Sequence, residues 1–502
     1  MAKNREPVWR PAVSDFSQVF SEQNPWHSSG EVPSAWALPV ERPLAQMLAD
    51  RLTNNQPRRF QLILGPRRVG KTTSLYQTAN RLLKRGIKPT RVWWLRMDHP
   101  LLMDLELGSL VRTITKGAKA SLQDPIYLFL DELTYAKGWD LWLKTFYDET
   151  WPVTIAGSSS STAAMQHART ESGIGRWDEQ YLAPYLFGEY LELSERRVEV
   201  SVGSNLAQTI EALSQSPPAI TGLADLRRRF LLTGGFPELL LLAKGSAEDE
   251  ASLLLDSQRT LRSDAVERAI YKDIPQAFGI DNPMLMERLL YTLAGQMGGI
   301  LSPRNICQSL ANMSVPTFDR YLAYLERAFL VFTLPNYSGT ESSRQSRGKK
   351  LYFVDGAIRN AALQRGVAPL NNPVEMGALL ENLVASHLHA LSQQSQVRLY
   401  HWRSRNDEVD LVFDQPDSPL AFEIGSSPGH TRTGLRRFIQ RYPRFHGGAY
   451  LVAPEVLTVS ATDAPDGIGT ISLDLLLLAV SAQTESELRF RLGGTPNPSP
   501  AV

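Results

Sequence analysis

The 502-residue sequence contains a single cysteine, Cys307. One cysteine cannot form an intrachain disulfide or a cysteine-rich metal site, and this scarcity favours a reducing compartment. Long apolar runs are also missing, since the longest one, Leu475–Val480, is far shorter than the roughly 20 residues that a membrane-spanning helix needs. The first residues, MAKNREPVWRPAVSDF, include no apolar stretch typical of a signal peptide. We therefore expect a cytoplasmic protein with no membrane partner.

An excess of charge of either sign is absent as well. Lys and Arg number 53 and Asp and Glu number 52, so the formal net charge is +1. This balance excludes a global field that attracts nucleic acid or an anionic membrane, and any polyanion would have to bind a local basic patch. Hydrophobic residues make up 43% and charged residues 21% of the chain, as in ordinary globular proteins. At roughly 100 to 200 residues per domain, the length predicts about three or four domains.

The order of patterns along the chain divides it into six segments. The predicted segments are an irregular Pro-, Ser- and Trp-rich lead-in at 1–42, an α/β unit at 43–202, a helical lid at 203–282, a helix-turn-helix with a β-rich tail at 283–348, a second α/β unit at 349–490 and a disordered Pro/Gly-rich tail at 491–502. The lid contains a Gly-Gly-Phe-Pro break between two apolar helical stretches. No internal repeat interrupts this order.

The first α/β unit begins with a strand, a glycine-bearing turn and a helix. The apolar run FQLIL precedes GPRRVGKTT, and the helical pattern SLYQTANRLLKRG ends at Gly86, a typical C-cap residue. Further β-rich runs follow at RVWWLRMD, IYLFLDE and VTIAGSSS, separated by segments long enough for helices. This alternation predicts an α/β domain with a mainly parallel sheet.

The turn between this strand and helix fits the phosphate-binding pattern G-x-x-x-x-G-K-[ST] at every fixed position. Its glycines let the backbone wrap closely around a triphosphate, while the amides and the helix N-terminus face the negative charge. Lys71 is expected to bridge the β- and γ-phosphates, and the Thr72 hydroxyl is expected to reach magnesium. The predicted nucleotide contacts are Gly65, Pro66, Arg67, Arg68, Val69, Gly70, Lys71, Thr72 and Thr73. We interpret Arg67 and Arg68 as solvent-facing or subunit-contact residues.

Two later strands end in polar residues. The strand IYLFL ends in Asp131-Glu132, where Asp131 is expected to hold magnesium through water and Glu132 to polarise the attacking water. The strand VTIAG runs into a serine-rich turn in which Ser158 is a candidate γ-phosphate sensor. Arg176 follows by a loop and is a candidate charge-stabilising arginine, in cis or in trans. A plain serine-rich turn and a solvated arginine are the alternatives.

The chain resembles a prokaryotic family of AAA-type P-loop ATPases over nearly its whole length, from about Pro43 to Ala453. The resemblance lies in GPRRVGKT, LFLDEL followed by KGWDLWLKTFYD, AGSSSS, the stretch from GRWDEQYLAP to LFGEYLEL, GGFPE, and a distal GALLENLVASHL with EVDLVF. The family's carboxy-terminal half is a domain of unknown function that contains a winged helix and a restriction-endonuclease-like fold. The resemblance implies ATP contacts at the loop, magnesium binding and water activation at Asp131 and Glu132, and nucleotide sensing near Ser158. One departure is Thr134, where relatives often carry glutamine.

The resemblance also defines the expected fold of each segment. It implies an AAA-type P-loop NTPase core with a parallel sheet at 43–202, followed by the helical lid, a winged helix-turn-helix at 283–348 and a restriction-endonuclease-like α/β domain at 349–490. A PD-(D/E)XK site in that last domain would use Glu381, Asp410 and Glu423. The pattern then requires a lysine where Gly425 stands, and Arg432 or Arg436 would be a poor substitute because arginine stays protonated. We expect a degenerate nuclease fold kept for binding or assembly.

The winged helix has candidate DNA contacts. Those residues are Thr317, Arg320 and Tyr324 on one face of its second helix, and Arg344, Arg347, Lys349 and Lys350 in the loop beyond. A protein-contact role is the alternative. His387 and His389 show no metal-ligand spacing and are read as surface or core residues.

Three functional hypotheses follow from the sequence. The first is a magnesium-dependent ATPase whose nucleotide state moves the lid and winged helix, in contact with double-stranded DNA or a protein partner. The second is a protein-binding switch that hydrolyses ATP slowly, and the third is an ATP-gated DNA nuclease. AAA-type cores often need a neighbour's arginine, so a homo-oligomer is also expected.

Overall fold

The computed structural model describes residues 13–54, 57–103, 105–160, 175–218, 222–245, 250–280, 282–310, 313–338, 348–405, 407–425 and 429–492. Contacts divide the chain into two compact units. The first takes in the chain up to Leu64 together with Lys71–Gln180, and the second takes in Gly65–Gly70 together with the chain from Tyr181 onwards. The finer division into six segments remains a prediction.

The first unit is built on a five-stranded sheet. Its strands are β1 (Phe60–Leu64), β2 (Val92–Arg96), β3 (Ile126–Asp131), β4 (Val153–Ser159) and β5 (Trp177–Tyr181), in the order β2-β3-β4-β1-β5. The pairs β2–β3, β3–β4 and β4–β1 are parallel. Every residue of β1, β3 and β4 is buried, as expected for a parallel sheet covered by helices on both faces. This confirms the α/β class.

Helices connect the strands of this unit. They are Val13–Gln23, Trp26–Ser29, Pro43–Thr53, Lys71–Lys84, Leu107–Gly117 and Trp139–Asp148, with 3-10 turns at Pro89–Arg91 and Leu133–Tyr135. Gly86 follows the helix that begins at Lys71 and adopts a φ of +87°, as its predicted capping role requires.

The lead-in differs from the irregular segment that we predicted, because Val13–Gln23 is helical. After this helix, Trp94 N donates to Asn24 Oδ1 at 2.6 Å and Trp26 Nε1 donates to the carbonyl of Val92 at 2.8 Å. The side chains of Asn24 and Trp26 thus satisfy backbone groups of β2, an edge strand that would otherwise present them to solvent.

The second unit contains a mixed five-stranded sheet. Its strands are β8 (Leu399–Ser404), β9 (Asp407–Phe413), β10 (Leu420–Ile424), β11 (Ala449–Ala453) and β12 (Ile468–Ser472), in the order β12-β11-β10-β9-β8. The β8–β9 and β9–β10 pairs are antiparallel, and the β10–β11 and β11–β12 pairs are parallel. The sequence pattern predicted the first four strands and missed β12, whose neighbourhood contains Gly467 and Gly469.

The remaining elements of this unit are mostly helical. The helices are Phe187–Leu193, Leu206–Gln215, Leu223–Thr233, Pro237–Gly245, Glu250–Leu261, Ile274–Phe278, Pro283–Ala294, Pro303–Ser309, Val315–Arg327, Gly356–Leu363, Pro373–Ser395, Thr433–Arg441 and Leu473–Arg491, with π-helical turns at Arg262–Glu267 and Ala269–Asp273 and 3-10 turns at Ala368–Asn371 and Pro443–Phe445. Strands β6 (Val331–Leu334) and β7 (Lys350–Phe353) form a separate antiparallel pair. The helix pair Pro303–Ser309 and Val315–Arg327 followed by β6 and β7 matches the predicted element order, and its interpretation as a winged helix stays a prediction.

The predicted lid shares its core with the second sheet. Leu206, Ile210 and Phe230 belong to the same buried cluster as Phe422 of β10 and Val452 of β11. The helix Leu206–Gln215 also packs on Leu473–Arg491. Helices in this region are therefore part of a continuous hydrophobic core within the second unit.

The Gly-Gly-Phe-Pro break is a docking turn within that unit. Gly235 N donates to Asp355 Oδ2 at 2.7 Å, and the Gly235 carbonyl accepts from Tyr185 N at 2.7 Å. A Cβ at Gly235 would lie 2.4 Å from the Tyr185 carbonyl oxygen, so only glycine permits this approach. Asp355 also accepts from Ala357 N at 2.8 Å and thereby caps the helix Gly356–Leu363.

Candidate functional site

The carboxyl ends of β3 and β4 bring together three of the predicted site residues. Thr72 Oγ1 lies 3.2 and 3.1 Å from the two carboxylate oxygens of Asp131, and Ser158 Oγ donates to Asp131 Oδ1 at 2.5 Å. Neighbouring parallel strands end at the same edge of the sheet, and Thr72 occupies the first turn of the helix Lys71–Lys84. The structure therefore clusters a hydroxyl from the loop-helix junction, an aspartate and a serine.

Asp131 is buried, with 4% of its surface exposed. Burial and the neighbouring charge of Glu132 raise its pKa to about 6, against the opposing effects of the Ser158 and Thr72 hydrogen bonds and of Lys71. A carboxylate in this environment gains from a cation, because a positive charge would offset the cost of burying its ionised form.

Glu132 adopts a left-handed conformation, with a φ of +51°. Such a conformation is uncommon outside glycine and is often kept at functional sites. Its amide donates to Ser158 Oγ at 3.1 Å, and its Oε2 accepts from Ser160 Oγ at 3.1 Å. Two serines of the predicted sensor turn thus fix the backbone and the carboxylate of Glu132. Thr134, where relatives often carry glutamine, contacts Ser159 Oγ at 3.2 Å.

The segment Gly65–Gly70 groups with the second unit. A Cβ at Gly65 would lie 2.2 Å from the carbonyl oxygen of Leu182, and Gly70 has a φ of +91°. Both fixed glycines of the motif are therefore required by backbone geometry. Pro66 and Val69 are buried, and Lys71, which begins the next helix, is 6% exposed.

Of the two loop arginines, Arg67 differs from the prediction of a solvent-facing residue, whereas the side chain of Arg68 is 41% exposed, and a subunit contact stays a prediction for both. Arg67 makes a bidentate ion pair with Asp273, with N–O distances of 2.5 and 2.6 Å, and its side chain is only 13% exposed. Arg68, with a φ of +67°, pairs with Glu238 and Asp264. The reason for the difference is that acidic side chains from distant helical segments reach the loop, which the local sequence does not reveal.

Arg176 does not join the Asp131 cluster. Its guanidinium makes a bidentate contact with Asp148 at 2.8 and 3.0 Å, and its carbonyl accepts from Phe60 N at the start of β1. The phosphate-binding loop follows the other end of β1. The predicted role in cis is therefore not supported by this geometry, and a role in trans remains a prediction.

A second cluster surrounds Lys350 at the start of β7. Its Nζ lies 2.9 Å from Glu381, 2.7 Å from Glu408 and 2.8 Å from Asp410, and its side chain is 2% exposed. We predicted Lys350 as a DNA contact, which the structure contradicts because a buried ammonium cannot reach phosphate. The acidic cluster thus contains a lysine from β7, whereas position 425 on the other side of the sequence motif is a glycine.

Burial shapes the charges of this cluster. Burial and the charge of Asp410 raise the pKa of Glu381 to about 7, and burial also raises the pKa of Glu423 to about 7, against a hydrogen bond from His430. Burial alone would lower the pKa of Lys350, but the surrounding acidic groups and Tyr352 outweigh it and raise the pKa well above its ordinary value. Among the described residues, no group of three or more His, Cys, Asp or Glu has an arrangement that could hold a metal ion.

Glu423, Arg432 and Arg436 have partners outside the Lys350 ion pairs. Glu423 Oε1 contacts His430 Nε2 at 3.3 Å. Arg436 pairs with Asp466, and Arg432 Nη1 donates to the Ile468 carbonyl at 3.4 Å. Neither arginine replaces a site lysine.

Of the predicted DNA contacts, Arg344 and Arg347 lie outside the described residues. Arg320 and Lys349 are exposed, while Tyr324 stacks on Phe278 with ring centroids 3.8 Å apart. Thr317 contacts the capping residue Ser314.

His387 is a buried core residue, one of the two alternatives that the sequence left open, and His389 is half-buried. His387 Nε2 accepts from Phe187 N at 2.9 Å and His387 Nδ1 donates to the Leu383 carbonyl at 2.9 Å. His389 stacks on Phe332 at 4.1 Å between ring centroids.

None of the helices in the described ranges is both long enough and apolar enough to span a bilayer.

Three family models match successive parts of the chain. Residues 57–191 match an AAA domain, residues 224–368 match a domain of unknown function (DUF8612), and residues 376–467 match another domain of unknown function (DUF4143). The AAA match contains the phosphate-binding loop, Asp131 and Ser158.

Relatives align over most of the chain. An uncharacterized protein of Methanocaldococcus jannaschii is 28% identical over 386 residues, which cover 75% of this chain and 77% of that protein. An uncharacterized protein of Haemophilus influenzae is 23% identical over 378 residues, covering 74% and 84%. A solved structure of the Aeropyrum pernix ORC1 protein in complex with DNA covers 69% of this chain and 97% of its own, with 14% identity and a TM-score of 0.31. The chain contains an AAA domain at residues 57–191, and its later part matches two domains of unknown function.

Proposed function

We propose that this protein is a magnesium-dependent ATPase whose nucleotide state controls its carboxy-terminal part. The observation that carries the proposal is the hydrogen-bonded set of Thr72, Asp131 and Ser158 directly after a complete phosphate-binding motif. A chance glycine turn would not explain why a buried aspartate meets the motif's threonine hydroxyl.

The donor set fits magnesium and ATP. Magnesium prefers oxygen ligands and is usually held by one or two protein oxygens plus substrate phosphates, which agrees with a single hydroxyl and a single carboxylate at Thr72 and Asp131. When bound, the metal-nucleotide complex supplies the phosphoanhydride bond to be hydrolysed and the charge that neutralises its phosphates.

Each residue then has a distinct task. The amides of Gly65–Gly70 and the ammonium of Lys71 bind phosphate oxygens, and Asp131 and Thr72 orient the metal. Glu132 orients and polarises the attacking water, held in position by Ser160. Ser158 links Asp131 to the Glu132 amide, so a shift at either one is transmitted to the other.

The test is steady-state ATP hydrolysis by wild type, Glu132→Gln and Lys71→Ala. We expect Glu132→Gln to bind ATP but to lose at least about tenfold in turnover, because general-base assistance contributes roughly 100-fold or more. We expect Lys71→Ala to lose affinity as well. Lys84→Ala, at the exposed end of the same helix, is the matched control and should hydrolyse ATP like wild type. Wild-type affinity in Lys71→Ala would remove the basis of the proposal.

A slow-turnover switch that binds a protein partner is the second candidate, and the position of Arg176 favours it. Since Arg176 is held by Asp148, we expect an arginine from another copy or a partner to complete the site. Tight ATP binding with negligible turnover at every protein concentration would support the switch, whereas turnover that rises with protein concentration would support a homo-oligomeric ATPase.

Double-stranded DNA is a further candidate partner, supported by the exposed Arg320 and Lys349. DNA stimulation of hydrolysis that declines between two salt concentrations would indicate phosphate contacts. The ATP-gated nuclease has less support, because Lys350 pairs with Glu381 and Asp410, two of the three acidic groups that a metal would need. Cleavage that persists in the Asp410→Ala, Glu423→Ala double variant would exclude this site as its source.

A further inference from the structure

Acidic residues far away in sequence form ion pairs with the arginines of the phosphate-binding loop. Asp273 is the last residue of a π-helical turn, and both of its carboxylate oxygens accept hydrogen bonds from Arg67. The side chain of Asp273 is 8% exposed and that of Arg67 is 13% exposed. A buried bidentate pair of this kind fixes geometry as well as charge.

A second pair of contacts lies one residue along. Arg68 bonds to Glu238 in the helix Pro237–Gly245 and to Asp264 in the π-helical turn Arg262–Glu267. A Cβ added at Gly70 would lie 3.7 Å from Pro237. Two arginines and three carboxylates thus connect the loop to the helical region 237–273 of the second unit, which comprises the described segments 237–245 and 250–273.

The location of the acidic residues is unusual for a structural pair. π-helical turns are rare and occur frequently at functional sites, and here two successive turns carry Asp264 and Asp273. The arginines are the variable positions of the motif, so phosphate binding alone does not require them. Their engagement by carboxylates holds the loop amides in one arrangement before any phosphate arrives.

From these contacts we propose that Asp273 is a positioning residue for the nucleotide, acting through Arg67, and that nucleotide binding is coupled to the helical region 237–273. The inference rests on the proposed nucleotide-binding function. Phosphate charge entering the loop would compete for Arg68, which is 41% exposed, while the buried Arg67–Asp273 pair keeps the loop anchored. When phosphate takes Arg68, the ion pairs of Arg68 with Glu238 and Asp264 break, and the helix Pro237–Gly245 and the turn Arg262–Glu267 are released from the loop. When no phosphate reaches Arg68, both elements stay attached to the loop.

The test is a double-mutant cycle on the full chain with Arg67→Gln, Asp273→Asn and both together. Mg-ADP and Mg-ATP affinities are measured by calorimetry. We expect each single variant to lose about tenfold in affinity, within the usual range of coupling between sites, and the double variant to lose little more than either one. Asp256→Asn is the matched control, since Asp256 pairs with Arg259 at an exposed position of the neighbouring helix.

A second readout separates positioning from general stability. Hydrogen exchange in the segments 237–245 and 262–278 is compared with and without saturating Mg-ADP. Nucleotide-dependent exchange in wild type and in Asp256→Asn, and its absence in Asp273→Asn, is the expected result. Because Asp273→Asn leaves a buried arginine with a neutral partner and can fail to fold, the Glu238→Gln, Asp264→Asn variant is measured alongside it, with the same loss expected. Glu238 and Asp264 are less buried than Asp273, with side chains 53% and 30% exposed.

The outcomes distinguish the two claims. If wild type binds neither nucleotide, the proposed function fails and takes this inference with it. If wild type binds and the folded Asp273 and Glu238/Asp264 variants match it in affinity and in exchange, the inference alone is overturned.

Discussion

Single hydroxyl groups decide the geometry around Asp131. Ser158 Oγ donates to the carboxylate and at the same time accepts the Glu132 amide, so one side chain satisfies two buried groups. Ser159, its neighbour, contacts Thr134 instead. The two serines therefore offer a comparison between a hydroxyl that serves the site and one that lies beside it.

Ser158→Ala should lower the free energy of unfolding by about 1–3 kcal/mol, because it leaves the Glu132 amide without its partner. It should also lower ATP turnover, since the carboxylate and the Glu132 backbone lose their link. Ser159→Ala should cost no more than about 1 kcal/mol and leave turnover near wild type. Denaturant unfolding and a hydrolysis assay check both, and equal losses in the two variants would contradict the assigned role of Ser158.

At the scale of single residues, the sequence predicted the residues of the phosphate-binding site and missed the ion-pair partners that come from distant segments. Gly65, Thr72, Asp131 and Ser158 were identified because a local motif and strand ends specify them. The partners of Arg67 and the position of Lys350 were not, because Asp273 is 206 residues from Arg67 and Glu408 is 58 residues from Lys350. Contacts of such separation are predictable only where a motif specifies both ends, as for Thr72 and Asp131, which are 59 residues apart.

Strand β7 places a lysine inside the acidic cluster of the second unit. It places Lys350 among Glu381, Glu408 and Asp410, and Tyr352 two residues on donates to Glu381 at 2.7 Å. Residues two apart on a strand face the same side, so a single face of β7 serves the whole acidic cluster. The lysine acts as an internal cation for carboxylates that come from a helix and from β9.

Lys350→Met should destabilise the protein by about 3–5 kcal/mol at pH 8, because removing one partner leaves buried carboxylates uncompensated. The deficit should shrink as the pH falls toward 6, where Glu381, whose pKa is raised to about 7, takes up a proton. Lys349→Met, at the exposed neighbouring position, should stay within about 0.5 kcal/mol of wild type. Denaturant titrations at both pH values measure this, and a tolerated Lys350→Met would show that the ion pairs contribute little.

The elements themselves were predicted more fully than their partners. Strands β1 to β4 and β8 to β11 and the helix Thr433–Arg441 follow the expected patterns, because apolar periodicity is local. The helix Val13–Gln23 and strand β12 were missed, since polar residues dilute the first pattern and glycines interrupt the second.

Across the whole molecule, buried groups respond to pH in opposite directions. Burial lowers the pKa of His387 to about 4, so its contribution to stability is complete above its ordinary pKa and is lost as the pH falls toward 4. Burial raises the pKa of Asp355 to about 6, so its contribution is complete at low pH and is lost as the pH rises through 6. The effects of these two groups on stability therefore oppose each other between about pH 4 and pH 6.

Replacing His387 should remove one of these two opposing effects of pH on stability. When the pH falls from 7 to 5, the lowered pKa of His387 reduces the free energy of unfolding of wild type by about 2 kcal/mol, because the neutral, doubly hydrogen-bonded ring resists protonation. His387→Gln lacks this titration, so its stability relative to wild type should improve by that amount at pH 5, although the variant is less stable at pH 7 because it loses the ring packing. Urea unfolding at the two pH values measures the change, and a constant difference would contradict the assignment.

The contacts of Asn24 and Trp26 with β2 have a consequence for assembly. A free strand edge can accept a strand from another chain and thereby extend a sheet between molecules. Here the backbone groups at Val92 and Trp94 are already occupied by side chains of the same chain. Copies of this protein that associate must therefore meet through side-chain surfaces or at another edge, and not by continuing the sheet past β2.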